Sequence, residues 1–161
     1  MYSPVRELGG PIKALFSDMD GTMTSDGLIE AETIAALYEL SATGLPIVLV
    51  TGRPAGWGQA MASLFPFRAV ITENGGVTFV REGRRFRKIY GVPEASLEDW
   101  RRRMHEATLD VMDTVDGAAL SADTKYREVD MAIDWNEEVS LPMAAADRAV
   151  EMLQKRGFAA S

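Results

Sequence analysis

The chain contains no cysteine, which excludes disulfides, thiolate metal sites and a cysteine nucleophile, and is compatible with a reducing compartment. Histidine is almost as scarce: His105 is the only one, and with no second His or Cys nearby it reads as a surface residue rather than a ligand or a base. Positive charge is in deficit. The 17 Lys and Arg against 24 Asp and Glu give a formal net charge of −7, which argues against broad attraction to nucleic acid or an anionic membrane but allows a local cationic pocket for phosphate. Long apolar runs are missing too. No stretch approaches a membrane span, and residues 1–10 lack the apolar core of a signal peptide, so the expectation is a cytoplasmic protein with small-molecule partners. There is no internal repeat and no low-complexity tract. What remains is ordinary for a globular chain: 161 residues, 47% hydrophobic and 25% charged, are sufficient for one core.

The chemistry is concentrated early. An apolar run at residues 12–16 reads as a buried strand, and it runs out into Asp18-Met19-Asp20-Gly21-Thr22-Met23-Thr24. Two carboxylates spaced by one residue then sit at the carboxyl end of a strand, the edge at which open α/β sheets bind ligands. Gly21 permits a tight bend there, so both carboxylates can reach one polar centre. Such a set suits phosphoryl transfer. One Asp attacks phosphorus, a hard oxygen-liganded cation such as Mg²⁺ neutralises charge, and the other Asp handles the proton. Plain turn chemistry after a strand accounts for the same residue types, and the context downstream weighs against it.

Residues 24–29 are turn-rich, suited to a flap or to a plain loop, and Asp26 is given no catalytic role. Positions 30–43 place Ile34, Leu37, Tyr38 and Ser41 on one face with Gly44 just beyond, which predicts a helix. A second strand at 46–50 then makes a right-handed parallel crossover. It ends in Thr51-Gly52-Arg53-Pro54, ahead of a helix in which Trp57, Ala60, Met61 and Leu64 share a face. A hydroxyl, a closely approachable backbone and a cation in succession can stabilise a phosphoryl group, although Thr51 also suits a cap and Arg53 a surface ion pair. A third strand at 69–72 closes on Glu73-Asn74-Gly75-Gly76, a hairpin-turn signal, and residues 77–80 and 86–90 continue as antiparallel strands.

Further along, 91–94 reads as a linker, and Ser96-Leu97-Glu98-Asp99 resembles a capping box that opens a helix to about Val111. Its inner stripe is Leu97, Trp100, Met104, Thr108 and Val111. Arg101, Arg102 and Arg103 point in different directions on that helix and form a solvated face. Residues 127–135 alternate, with Val129, Met131, Ile133 and Trp135 on one side and Glu128, Asp130, Ala132 and Asp134 on the other, which predicts a half-buried strand. A last helix runs from Pro142 to Arg156 with Met143, Ala146, Val150 and Leu153 inward, stopped by Gly157. The fold class is therefore α/β, with a parallel-sheet core over residues 1–82 and a small α+β layer over residues 83–161.

The stretch Asp18-Met19-Asp20-Gly21-Thr22-Met23-Thr24 resembles the first motif of the haloacid-dehalogenase-like (HAD) phosphatase superfamily, Asp-x-Asp-Gly-Thr-hydrophobic-Thr. The strand ending in Thr51-Gly52-Arg53 resembles the second motif. Ile71-Thr72-Glu73-Asn74-Gly75-Gly76 resembles the subgroup whose cap is inserted after that motif, among them sugar-phosphate, sucrose-phosphate and mannosyl-phosphoglycerate phosphatases. The resemblance implies a Rossmann-like core with an inserted α+β cap, and a Mg²⁺-dependent phosphatase of a small sugar phosphate or related ester. It implies Asp18 as the nucleophile that forms an aspartyl-phosphate, Asp20 as acid and then base, and the Asp18 carboxylate and Asp20 carbonyl as metal ligands. Thr51, Gly52 and Arg53 become phosphoryl contacts, and Asn74 a substrate or phosphate contact, where the turn alone also accounts for it. A phosphotransferase or mutase using the same aspartyl-phosphate is the alternative. The superfamily's third motif, a Lys or Arg, and its fourth, an acidic Gly-Asp-x-x-x-Asp cluster, follow the cap and do not occur in these 161 residues. The expectation is thus the amino-terminal portion of a longer phosphatase, completed by a missing carboxyl-terminal segment or an oligomer partner, and otherwise an inactive binding module.

Overall fold

The computed structural model describes Glu7 and residues 9–161, so most of the lead-in at residues 1–11, and the signal-peptide question with it, lies outside the described residues. Strand β1 (Leu15–Asp18) starts later than the apolar run suggests: Ile12 is exposed, and the strand ends on the first carboxylate. The turn-rich stretch after it is a narrow ribbon, β2 (Thr24–Ser25) and β3 (Leu28–Ile29), closed by Asp26 and Gly27. Both turn residues have positive φ, the backbone that a tight two-residue hairpin demands. Helix α1 (Ala31–Ala42) follows with Leu37 buried, and Gly44 at φ +84 turns the chain into β4 (Ile47–Val50).

Helix α2 (Ala55–Leu64) then returns the chain to β5 (Ala69–Thr72). A tight connection at Glu73–Gly75 reverses direction into β6 (Val77–Glu82), and β7 (Arg85–Tyr90) completes a five-stranded sheet of order β1-β4-β5-β6-β7. The pairs β1·β4 and β4·β5 are parallel, and β5·β6 and β6·β7 antiparallel. Because β7 pairs with β6 along its whole length, residues 85–90 belong to this sheet, and the second layer begins beyond Tyr90 rather than at residue 83. The apolar runs of β4 and β5 fill the centre of the core: Ile47, Leu49 and Val70 are at most 1% exposed.

One face of this sheet explains why the inner side of α2 is not the one its large residues mark out. The buried residues of α2 are Ala55, Gly58 and Ala62, whereas Trp57 and Leu64, expected inside, are exposed. A Cβ on Gly58 would lie 2.2 Å from the Thr72 Cγ2 and 3.3 Å from the Phe79 ring. The helix therefore sits so close to the sheet that only small residues fit between them. Trp57 instead lies under Arg53, whose guanidinium is 5.0 Å from its ring centre.

The second layer consists of α3 (Leu97–Thr114), the two-stranded pair β8 (Ala119–Leu120) and β9 (Ile133–Asp134), and α4 (Met143–Lys155). The expected inner stripe of α3 is largely observed, with Leu97, Met104, Thr108 and Val111 buried, but no side chain caps its start, so the Ser96 capping box does not form. In α4 the inward residues are Ala145, Ala149, Met152 and Leu153, while Met143 is exposed. The strand expected over 127–135 is reduced to Ile133–Asp134. Its backbone groups are taken by side chains instead. The amides of Glu128, Val129 and Asp130 donate to the Glu73 carboxylate, the Glu128 carbonyl accepts from Arg101, and the Val129 carbonyl accepts from the Trp100 indole at 2.8 Å. With both edges of the segment used in this way, no ladder can form on it.

Replacing Gly58 by Ala tests the close packing of α2. A helix-interior Gly→Ala change ordinarily gains up to about 1 kcal/mol, but here the overlap with the fully buried Thr72 dominates. The expected outcome is a loss of about 1–3 kcal/mol, typical of overpacking, read as a lower urea midpoint at unchanged slope. A gain in stability would contradict the packing.

Candidate active site

The loop that carries the two carboxylates is wound around one carbonyl oxygen. That of Met19 accepts from the amides of Thr22, Met23 and Thr24 and from the Thr24 hydroxyl, which in turn accepts from the Gly21 amide. Met19, Met23 and Thr24 are buried, and Gly21 has φ +72. The alternation this imposes turns Met19 into the core and leaves Asp18 and Asp20 exposed at the carboxyl end of β1. Asp18 Oδ1 accepts its neighbour's amide at 2.7 Å, which fixes that carboxylate's rotation. Asp20 is held from the loop that follows β4: Arg53 Nε and a terminal guanidinium nitrogen reach its two oxygens at 3.1 and 2.8 Å. This two-pronged pair further raises the Arg53 guanidinium's already high pKa.

The second predicted element meets the first at this edge. Thr51 is buried at the end of β4, with its amide on the Ile71 carbonyl and its hydroxyl accepting the Arg53 amide at 3.1 Å. Gly52 lies against Asn74: a Cβ there would stand 3.1 Å from Asn74 Oδ1. The structure thus brings Asp18, Asp20, Thr51, Gly52, Arg53 and Asn74 to one end of β1, β4 and β5. The sequence marks Glu73, just before Asn74, only as a turn residue. It is 2% exposed, and its carboxylate accepts four amides, from Ala55 at the start of α2 and from Glu128, Val129 and Asp130. Both Glu73 and Asn74 have φ near +50, a backbone that costs a non-glycine residue about 1–2 kcal/mol, and these bonds offset it.

Opposite this edge stands the second layer, and a cleft of about 500 Å³ lies between them. Asp20, Gly52 and Arg53 line one side, and Ser121, Asp123, Arg127 and the 132–137 segment line the other; Asp18 is exposed at the end of β1 and does not line it. Arg127 and Asp123, which no local sequence pattern marks, form the floor of the far wall. Arg127 grips Asp123 through two nitrogens at 2.9 and 3.0 Å and Asp130 at 2.6 Å. Burial pushes the Asp123 carboxyl up, but those two bonds prevail and hold it below its usual range. Asp130 is pushed up by burial in spite of Arg127, and it also accepts the Asn74 amide group at 3.2 Å. Among the described residues no three acidic or other ligating side chains cluster as a ready metal site. The hard oxygen donors of Asp18 and Asp20 nevertheless suit Mg²⁺, which takes one or two carboxylates and completes its shell with water and phosphate.

A family model described as haloacid dehalogenase-like hydrolase matches residues 15–131, which include both carboxylates, the Thr51 loop and Asn74. The chain belongs to that family. Two curated relatives are similar over part of it. The phosphoglycolate phosphatase of Methanopyrus kandleri is 33% identical over 86 residues, 52% of this chain and 35% of the relative. That of Methanothrix thermoacetophila is 36% identical over 67 residues, 41% of this chain and 29% of the relative. The matched stretch spans about a third of either relative's length. The crystal structure of Thermoplasma acidophilum 0175 superposes with a TM-score of 0.69 over 93% of this chain and 61% of its own, at 20% identity, which is a likeness of fold. The HAD-like α/β fold thus joins the mixed sheet to the second layer that faces its carboxyl edge.

The wall of the cleft provides a pH test. Asp134 is buried, and its carboxylate accepts the amides of Asn136, Glu137, Glu138 and Val139, so it shapes the Trp135–Glu137 turn that lines the cleft. The Glu137 and Glu138 amides, with those of Val139 and Asn136, hold its carboxyl below the ordinary value. A folded-state pKa below the unfolded value of about 3.9 contributes stability above that pH, and the contribution is lost as pH falls through the folded value. Asp134→Asn should therefore lower the thermal midpoint at pH 7, and the gap to the native protein should narrow below about pH 4. A gap independent of pH, followed by circular dichroism from pH 7 to 3, would count against the role of the charge.

Proposed function

We propose that this chain carries the nucleophile and the acid–base group of a Mg²⁺-dependent phosphomonoester hydrolase acting on a small ester, with sugar phosphates and phosphoglycolate as the first substrates to try. The observation that carries the proposal is the meeting of Asp18 and Asp20 with Thr51, Gly52 and Arg53 at one sheet edge, beside a cleft that Asp20, Gly52 and Arg53 line. The relatives named above support phosphate-ester chemistry, and the fold supports a second layer acting as a cap that excludes water.

In this mechanism an Asp18 oxygen attacks phosphorus, the bond to the ester oxygen breaks, and Asp20 gives that oxygen a proton. Water then attacks the aspartyl-phosphate, Asp20 takes its proton, and inorganic phosphate leaves with Asp18 restored. Asp18 and the Asp20 carbonyl would hold Mg²⁺, which when bound neutralises charge on the phosphoryl oxygens. The Thr51 hydroxyl and Gly52 amide would bind those oxygens as well. Asp20 must first leave the fork of Arg53. Both side chains are more than a third exposed, so their pair is worth about 0–1 kcal/mol. A phosphoryl dianion that offers Arg53 the same two-pronged geometry can displace Asp20 at little cost.

The test is a screen of phosphorylated metabolites with and without Mg²⁺ on the native protein, followed by single variants assayed on the best substrate. Asp18→Asn should reduce kcat by more than about 10³-fold, as expected on loss of a nucleophile, and Asp20→Asn by about 10²–10⁴-fold. Near-native, metal-dependent turnover by Asp18→Asn would remove the proposal.

A further inference from the structure

We infer that Arg127 is a positioning residue for the Thr51–Arg53 loop: from the second layer it fixes the peptide between Gly52 and Arg53 and so aims the phosphoryl-binding groups at the cleft. The inference rests on the hydrolase reading for its kinetic consequence, though not for its geometry. That peptide is held at both ends. Its N–H donates to the Thr51 hydroxyl at 3.1 Å, and its carbonyl accepts from Arg127 at 3.2 Å. The neighbouring Arg53 carbonyl accepts the Glu73 amide at 3.1 Å, and the Asn74 side chain packs against Gly52. Rotation of the Gly52–Arg53 peptide would break the bond of the Arg53 amide to the Thr51 hydroxyl and redirect the Arg53 side chain that reaches Asp20. Three of its supports come from the sheet edge itself. Among the described residues, Arg127 makes the one hydrogen bond to this loop from beyond Tyr90.

Arg127 is also built to stay where it is. Its side chain is 9% exposed, and three of its four remaining donors are spent on Asp123 and Asp130. Asp130 in turn accepts from Asn74, so the acid that orients Arg127 also touches the group packed on Gly52. This closes a ring of contacts from Gly52 through Asn74, Asp130 and Arg127 back to the Gly52 carbonyl. A guanidinium can fill that ring because its five donors are fixed in one plane; an ammonium has three and no fork. With its donors so committed, Arg127 has little left for a substrate, which separates it from Arg53.

Removing Arg127 alone leaves two half-buried acids without the cation they share, so Arg127→Ala can simply unfold. Two other variants avoid this. Arg127→Lys keeps the charge and loses the fork, and the triple variant Arg127→Met, Asp123→Asn, Asp130→Asn removes all three charges together, a replacement buried ion groups often tolerate. Two readouts are needed. The first is amide hydrogen exchange, which needs no substrate: in either folded variant the Arg53 amide should exchange at least about 10-fold faster, with protection in β4 and β5 unchanged. The second is steady-state kinetics, in which a misplaced loop should lower kcat by about 10- to 100-fold while KM moves less than about threefold. Native exchange at Arg53 in both folded variants would overturn the inference, as would native kcat. If the native protein hydrolyses no ester at all, the hydrolase proposal fails, and exchange at Arg53 still decides the role of Arg127.

Discussion

A single buried carboxylate, that of Glu73, holds together the three parts on which the site depends. It stands at the end of β5, accepts the first amide of α2, and accepts three successive amides of the second layer. Leaving even one such buried amide without an acceptor costs about 1–3 kcal/mol, so the residue is worth its strained backbone. The charge also stands at the amino terminus of α2, where the helix dipole favours it. Its bonds to the 128–130 amides, with those of Arg101 and Trp100 to the carbonyls, keep this segment from the strand that its alternating sequence suggests and place it where Arg127 reaches Gly52.

The electrostatics around this corner separate groups that hold the structure from groups free to act. Arg127, Asp123 and Asp130 are mutually satisfied and mostly buried. Glu128 is likewise committed, to Lys88 and the Tyr90 hydroxyl. Asp18 has one oxygen on its own loop, and Asp20 and Arg53 pair with each other at the surface, Arg53 also resting on the Trp57 ring. Weakly held charge on one wall of the cleft, facing strongly held charge on the other, fits the proposed phosphoryl transfer: a ligand could replace the first pair while the second keeps its geometry.

Much of the sheet was legible because its signals are local. The runs at β4 and β5, the Gly44 stop and the Asn-Gly reversal each follow from a few neighbouring residues. The same holds for the Asp-x-Asp-Gly-Thr loop, where Gly21 and Thr24 shape the turn that exposes both acids. Signals failed where distant parts of the chain decide. Trp57 and Leu64 marked a face of α2 that Thr72 and Phe79 reject for want of space. The alternation at 127–135 describes a strand correctly by pattern, but Glu73, more than fifty residues away, takes the amides a strand would use. Ser96 carries a capping sequence without the geometry, since its backbone is already helical and its side chain makes no cap bond. Arg127 acquires its place at the site through its bond to Gly52, which no spacing within the sequence encodes, and Asp123 is held there by Arg127.

The central claim is that the exposed carboxylate at the end of β1 becomes covalently phosphorylated. It is tested most directly by quenching the native protein in acid within the first turnover of its best ester substrate. Reduction with borohydride then converts an aspartyl-phosphate to homoserine, and peptide mass spectrometry locates the product. The account predicts homoserine at position 18, present only when substrate and Mg²⁺ were supplied. Hydrolysis of the ester with position 18 still aspartate, or with the modification at Asp20 or elsewhere, would contradict it.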